Sequence, residues 1–167
     1  FKQGDCYFNT GDLVRDQGLR HIQFVDRVGD TFRWKGENVA STEVEGALAR
    51  FDSIEHGAVY GVNVPGCDGR AGMAAITLKA GHSLDGAALA QHLTDSLPAY
   101  AMPLFIRVQA AQETTGTFKY RKVELKQEGF DPERISEPLF VLVDRARGYE
   151  PLTHDVHQHI QNKSIKL

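Results

Sequence analysis

The sequence predicts an α+β fold, a small mixed β-sheet flanked by helices and preceded by a β-hairpin. Three observations carry this. Apolar runs bounded by turn residues recur as strands, two segments carry helical i, i+3, i+4 spacing, and the two kinds alternate without strict βαβ spacing. The 167 residues suffice for one domain, or one small domain plus a fragment of another.

In chain order, Tyr7 to Asp26 reads as a hairpin. Asp12–Asp16 and Leu19–Val25 flank Gln17-Gly18, and the second run alternates apolar with polar residues. The next stretch, Val25–Val39, holds the only Trp and the glycines Gly29 and Gly36 among mixed charges. Such a composition suits a polar hinge and loop better than a buried strand. Thr42–Phe51 is a helix, with Val44, Ala47, Leu48 and Phe51 on one face and Thr42 and Glu45 spaced as a capping box. Ile54–Val64 and Ala71–Lys79 read as neighbouring strands around a loose, exposed turn at Pro65–Arg70. Asp85–Leu97 is a second helix, stopped by Pro98. A short strand at Leu104–Val108, a turn at Thr114–Thr117 and a helix at Lys122–Glu128 follow, the last ended by Gly129. Pro138–Val143 is a further strand and Leu152–Gln161 a final helix.

Composition excludes several classes. A net charge of -3 gives no basic footprint for nucleic acid and no polybasic signal for anionic lipid. No apolar run reaches the roughly 18–20 residues of a membrane span. Cys6 and Cys67 lie far apart without metal spacing, so they read as free thiols in a reducing compartment. The chain opens on Phe-Lys-Gln-Gly-Asp without Met, and we expect it to be a piece of a longer protein.

Few residues stand out for chemistry. Asp12 follows the turn in Asn9-Thr-Gly-Asp-Leu13, where a carboxylate can accept from two ribose hydroxyls or merely satisfy turn amides. Arg27 can donate to a ribose or phosphate oxygen, and Lys119, after Thr115-Gly-Thr-Phe118, can contact a carboxylate and a phosphate. Both also read as ordinary surface cations. His154, His157 and His159 with Asp155 give two-residue constellations, short of the four ligands of a structural metal site, so no metal is expected.

Taken together and in order, these signals resemble the C-terminal portion of adenylate-forming acyl-CoA synthetases, in the fatty-acid-transport-protein and very-long-chain branch. Tyr7–Leu13, Asp26–Val39 and Thr115–Lys122 carry the resemblance, supported by Leu97–Pro103 and Tyr149–Thr153. It implies the C-terminal mobile domain of that family at residues 29–167, with residues 1–28 as the last strands of an N-terminal AMP-binding domain. It implies a ligase that converts a fatty acid, ATP and CoA into acyl-CoA, AMP and pyrophosphate through an acyl-adenylate, with domain rotation between half-reactions. As a fragment, this chain would not complete that reaction alone.

By residue, the resemblance makes Asp12 and Arg27 ribose contacts and Lys119 the lysine bridging substrate carboxylate and α-phosphate, with Lys122 as the alternative. It makes Gly29 or Asp30 the hinge, and Trp34, Lys35, Gly36 and Glu37 part of the CoA tunnel, Trp34 as packing support. Two departures are visible: the hinge position is glycine rather than Asp or Lys, and Lys119 follows Thr-Gly-Thr-Phe rather than Ser-Gly. Mg2+ and ATP or AMP are expected to be held mainly by the N-terminal domain, the chief partner. No nucleic-acid partner is expected. The resemblance implies cytoplasmic placement, with peripheral membrane contact as an alternative. Relatives acting on bile acids, sterol side chains or carnitine-like acids are a second substrate reading, and a non-catalytic docking module of the same fold is a third.

Overall fold

A computed structural model describes residues 11–27, 30–110 and 122–167, with backbone only at 26 and 27. Strands β1 (Asp12–Gly18) and β2 (His21–Arg27) form one antiparallel hairpin, and β3 (Phe32–Trp34) and β4 (Glu37–Val39) a second. After α1 (Ser41–Leu48) come β5 (Ile54–Val62), β6 (Ala71–Leu78) and α2 (Gly86–Ser96). The chain continues through β7 (Phe105–Gln109), α3 (Lys122–Glu128), β8 (Leu139–Val141), β9 (Glu150–Pro151) and α4 (His154–Gln161). Strands β5 to β9 lie in sequence order in one five-stranded sheet. Only β6 and β7 run parallel, and α2 is the crossover such a pair requires. The expected mixed sheet with flanking helices is what forms.

Each face of this sheet carries a core. On one, Val44, Ala47 and Leu48 of α1 and Leu89, Ala90 and Leu93 of α2 pack with Val59, Ala74, Ile76 and Ile106. Leu48, Leu89 and Leu93 are fully buried, each contributing about 2 kcal/mol. On the other, Leu125 of α3 and Ile160 of α4 meet Tyr60, Met73, Phe105, Leu139 and Val141. The alternation Val59 and Tyr60, or Val141 and Leu142, distributes strand residues to the two cores. Two stretches that carried the resemblance meet here: the Tyr149 hydroxyl donates to the Pro103 carbonyl at 2.7 Å. Burial pushes that phenol's pKa well above its ordinary value, Arg145 opposing weakly, so it stays a neutral donor.

Four sequence expectations are corrected. The capping box does not form, because both side chains have tertiary partners: Thr42 Oγ1 donates to Val25 O at 2.6 Å, and Glu45 Oε1 accepts from Val59 N at 2.9 Å. Helix α1 ends at Leu48, and Phe51 packs from the following turn. The stretch 25–39 is not wholly a polar loop, since Phe32, Trp34 and Val39 are buried. Nor is the turn at 65–70 loose: Arg70 N donates to Arg33 O at 2.6 Å. The turn expected at Thr114–Thr117 lies outside the described residues.

A hairpin turn and a chain of charges as the candidate site

The β3–β4 hairpin turns through Lys35 (φ 51°) and Gly36 (φ 88°). Two consecutive positive φ values mark the type I′ turn that matches strand twist, and a non-glycine residue in the first position costs about 1 kcal/mol. Arg33 Nε donates to Gly36 O at 3.2 Å and tightens the loop. Lys35, Gly36 and Glu37 are all exposed, while Trp34 is buried with the second core. Lys35 Nζ lies 5.7 Å from the Trp34 ring centroid, a cation–π contact.

Glycines hold this small hairpin in place. Gly61 and Gly72 are direct cross-strand partners in β5 and β6, and Phe32 lies over both. A Cβ on Gly61 would stand 2.7 Å from Phe32 Cβ, and one on Gly72 would stand 3.1 Å from Phe32 Cζ. Gly69 (φ 86°) bridges to Trp34, and a side chain there would collide with the Arg33 carbonyl. Gly36 differs: a Cβ there meets nothing within 4 Å. Its smallness serves no packing among the described residues, and its positive φ is what the turn asks of it.

Of the other expected site residues, Asp12 and Arg27 are direct register partners across the β1–β2 ladder. Asp12 is half-buried at the start of β1. The backbones of the two expected ribose contacts therefore stand opposite each other. Thr42 ties the end of β2 to α1. Gly29 and Lys119 lie outside the described residues. Asp30 is described, and it meets two lysines of α3: Lys126 Nζ at 3.3 Å and Lys122 Nζ at 3.8 Å. Lys122 also bonds Glu45 at 2.8 Å and Ser41 Oγ at 3.2 Å. Engaged in this way, Lys122 is an internal tether, which counts against its alternative role as the substrate-bridging lysine.

A second polar cluster sits under the sheet. Arg107 of β7 is buried and bonds Glu128 and, at 2.8 Å, Glu137. Burial alone would lower the Arg107 pKa, but hydrogen bonds to the two glutamates raise it above its ordinary value. Burial would raise Glu137, and the Arg107 bond overrides it and holds that carboxyl below the usual range. Burial lifts the Tyr60 phenol strongly, with Arg107 opposing. This buried, mutually paired cluster reads as structural. In α4, His157 stands edge-on to Phe130 and pairs with Gln161, and His154 pairs with Gln158. Among the described residues no three His, Cys, Asp or Glu side chains gather as a metal site. There too, no helix is long and apolar enough to cross a membrane.

Sequence reasoning found the hairpin residues but missed Gly61, Gly69, Gly72, Glu45 and Lys126. Glycines inside strands are a signal of close backbone approach that could have found Gly61 and Gly72. A pairing such as Glu45 with Lys122 leaves no local trace.

This three-layer fold with its glycine-seated hairpin defines a class. Residues 43–119 match the family model of the AMP-binding enzyme C-terminal domain. More particularly, the chain is 50% identical to the mouse (Mus musculus) long-chain fatty acid transport protein 6 over 100% of this chain and 27% of that protein. It is 55% identical to the medium/long-chain-fatty-acid–CoA ligase FadD6 of Mycobacterium tuberculosis over 90% of this chain and 25% of that protein. The chain thus spans about a quarter of the length of these curated relatives. Among solved structures, the amide bond synthetase McbA from Marinactinospora thermotolerans superposes with a TM-score of 0.63 at 27% identity, covering 71% of this chain and 24% of that one.

Proposed function

We propose that this chain is the mobile C-terminal domain of an ATP-dependent fatty acyl-CoA synthetase acting on long or very long chains. In the full-length protein the acid displaces pyrophosphate from ATP to give acyl-AMP, and the CoA thiol then displaces AMP. The observation that carries this reading is 55% identity, across nine-tenths of the chain, to a relative named as a medium/long-chain-fatty-acid–CoA ligase. Residues 1–28 are read as the last strands of the preceding domain, the chief partner, and 29–167 as the rotating domain. Cytoplasmic placement, with peripheral membrane contact as the alternative, belongs to the same reading.

Asp12 and Arg27 are assigned to the ribose, and their ladder pairing supports a shared task. Lys119 is assigned to adenylation, where its ammonium offsets repulsion between the carboxylate and the α-phosphate and holds them in line. Mg2+, when bound with ATP, supplies further charge neutralisation, and its ligands belong to the preceding domain. Gly29 or Asp30 is the pivot. After rotation, Lys35, Gly36 and Glu37 line the approach of CoA, backed by Trp34. The exposed glycine turn, unobstructed where a Cβ would stand, supports that assignment.

Lys119→Ala in the full-length protein is expected to reduce acid-dependent ATP–pyrophosphate exchange by about a hundredfold or more, the usual weight of one preorganised charge. Thioester formation from supplied acyl-AMP should survive. Undiminished exchange would remove Lys119 from the mechanism.

A further inference from the structure

The β3–β4 hairpin has a fixed base and an exposed tip, and one residue belongs to both. At the base, Phe32 and Trp34 are buried, at 5% and 2% exposure, and Trp34 bridges to Gly69. Arg33 between them is exposed, but its backbone is gripped: its carbonyl accepts from Arg70 N at 2.6 Å. Gly69 lies so close to that carbonyl that a Cβ there would stand 2.2 Å from the oxygen. The tip, Lys35-Gly36, projects past this grip. Both of its residues have positive φ and both are exposed, so burial does not hold them.

What reaches the tip is the side chain of Arg33. Its Nε donates to the Gly36 carbonyl at 3.2 Å, and among the described residues no other side chain bonds to the backbone of the turn. That carbonyl belongs to the peptide joining Gly36 to Glu37. The Trp34–Glu37 ladder pair closes the loop, and the Arg33 bond takes the carbonyl side of the same peptide. Gly36, with no Cβ, restricts its own backbone less than any other residue would, so this peptide depends on its bonds for its orientation. Arg33 thus carries the fixed position of the base out to the tip.

We propose that Arg33 is a positioning residue for the second half-reaction. Anchored through its carbonyl to Arg70, it holds the Gly36 turn in the orientation in which the CoA thiol passes it. This rests on the synthetase reading above, which gives Gly36 to the approach of CoA. Arg33 touches no reacting atom; its effect on rate passes through the Gly36 carbonyl. Its exposure separates this task from support of the fold. Loss of a solvated bond from a side chain to a turn costs little stability and leaves the buried rings and the Arg70 bond in place.

The test uses the full-length protein, with thioester formation from supplied acyl-AMP and CoA, acid-dependent ATP–pyrophosphate exchange, and thermal unfolding. Arg33→Met keeps an unbranched stem and removes the donor. It is expected to lower kcat for thioester formation by about tenfold, below the roughly hundredfold cost of an ångström-level misplacement. KM for CoA and the rate of exchange should stay within about twofold, and the unfolding midpoint within about two degrees. Arg33→Lys keeps a donor that can reach across the turn and should recover most of the lost kcat. Combining Arg33→Met with Gly36→Asn should cost little more than the larger single change, because both act on one turn.

A higher KM for CoA with kcat kept would make Arg33 a contact of CoA rather than a brace, and overturns the proposal. Parallel loss of both half-reactions with the midpoint would make it fold support, with the same consequence. Losses that multiply in the double variant would mean two independent tasks, which also overturns it. Unchanged thioester formation in Arg33→Met, where Gly36→Asn slows it, overturns the brace and leaves the synthetase reading intact. Wild-type protein that forms no thioester from any fatty acyl-AMP overturns the reading itself.

Discussion

The chain contains two β-hairpins outside its main sheet, and they are opposites. The first, β1–β2, has seven-residue strands, yet its apolar side chains face solvent: Val14 is 44%, Phe24 52% and Ile22 68% exposed. Val14 and Phe24 are direct ladder partners, so an apolar strip runs along one face, uncovered among the described residues. The second, β3–β4, has three-residue strands, and Phe32, Trp34 and Val39 are all at most 5% exposed. Strand length therefore does not decide which hairpin is integral to the domain. What decides it is the surface opposite: the Gly61–Gly72 pair makes a flat seat for Phe32, and Gly69 lets the Arg33 carbonyl come close enough to bond Arg70. The first hairpin is attached mainly through its end, where Val25 O meets Thr42. Its uncovered strip is what a fragment of a neighbouring domain would show.

The largest expected effect comes from breaking the seat. Gly61→Ala adds a Cβ that would stand 2.7 Å from Phe32 Cβ and 2.9 Å from Arg70 Cβ. Both neighbours are near-backbone atoms with little freedom to retreat. The cost should be about 2 kcal/mol, typical of overpacking, and should appear as a lowered thermal midpoint. Trp34 fluorescence should shift red as the indole gains water. A midpoint within a degree or so of wild type would show that the hairpin tolerates displacement, and the contrast with β1–β2 would lose its explanation.

How much of this was legible beforehand follows from the same contrast. The sheet and its helices were readable because Val44, Ala47 and Leu48, or Leu89 and Leu93, repeat at helical spacing and the long strands are continuous apolar runs. The site residues proposed above come from Trp34 to Glu37 and Thr115 to Lys122, which resemble a family pattern. The construction of the hairpin was not legible. Three-residue strands are too short to show a period, and the sequence does not say what lies against the glycines at 61, 69 and 72. The Thr42 and Glu45 pair was misread for a related reason: the capping-box pattern is local, whereas Val25 lies 17 positions from Thr42, and Val59 lies 14 positions from Glu45, which also pairs with the still more distant Lys122. Local patterns assign groups to local bonds by default, and tertiary contacts take them away.

A middle-sized effect separates the two tasks of glycine within the second hairpin. Gly36 needs its positive φ but fills no tight space, so Gly36→Asn, a residue that tolerates this backbone region, should cost less than about 1 kcal/mol. In the full-length protein, thioester formation from acyl-AMP should nevertheless fall by about tenfold, because a side chain now occupies the proposed approach of CoA. Exchange should be spared. An unchanged second half-reaction would take Gly36 out of the CoA tunnel and leave it a turn residue only.

The smallest effect is expected on the first hairpin, and it changes with context. Phe24→Ser removes a half-exposed ring from this chain, where its midpoint should move by less than about 0.5 kcal/mol in stability. In the full-length protein, if the preceding domain covers the Val14–Phe24 strip, the same change removes a buried ring and should cost about 2 kcal/mol. The difference between the two measurements is the informative quantity, because any effect within the hairpin itself cancels from it. Equal, small costs in both would mean that the strip stays in solvent, and residues 1–28 would then have to be assigned to the same unit as the rest of the chain.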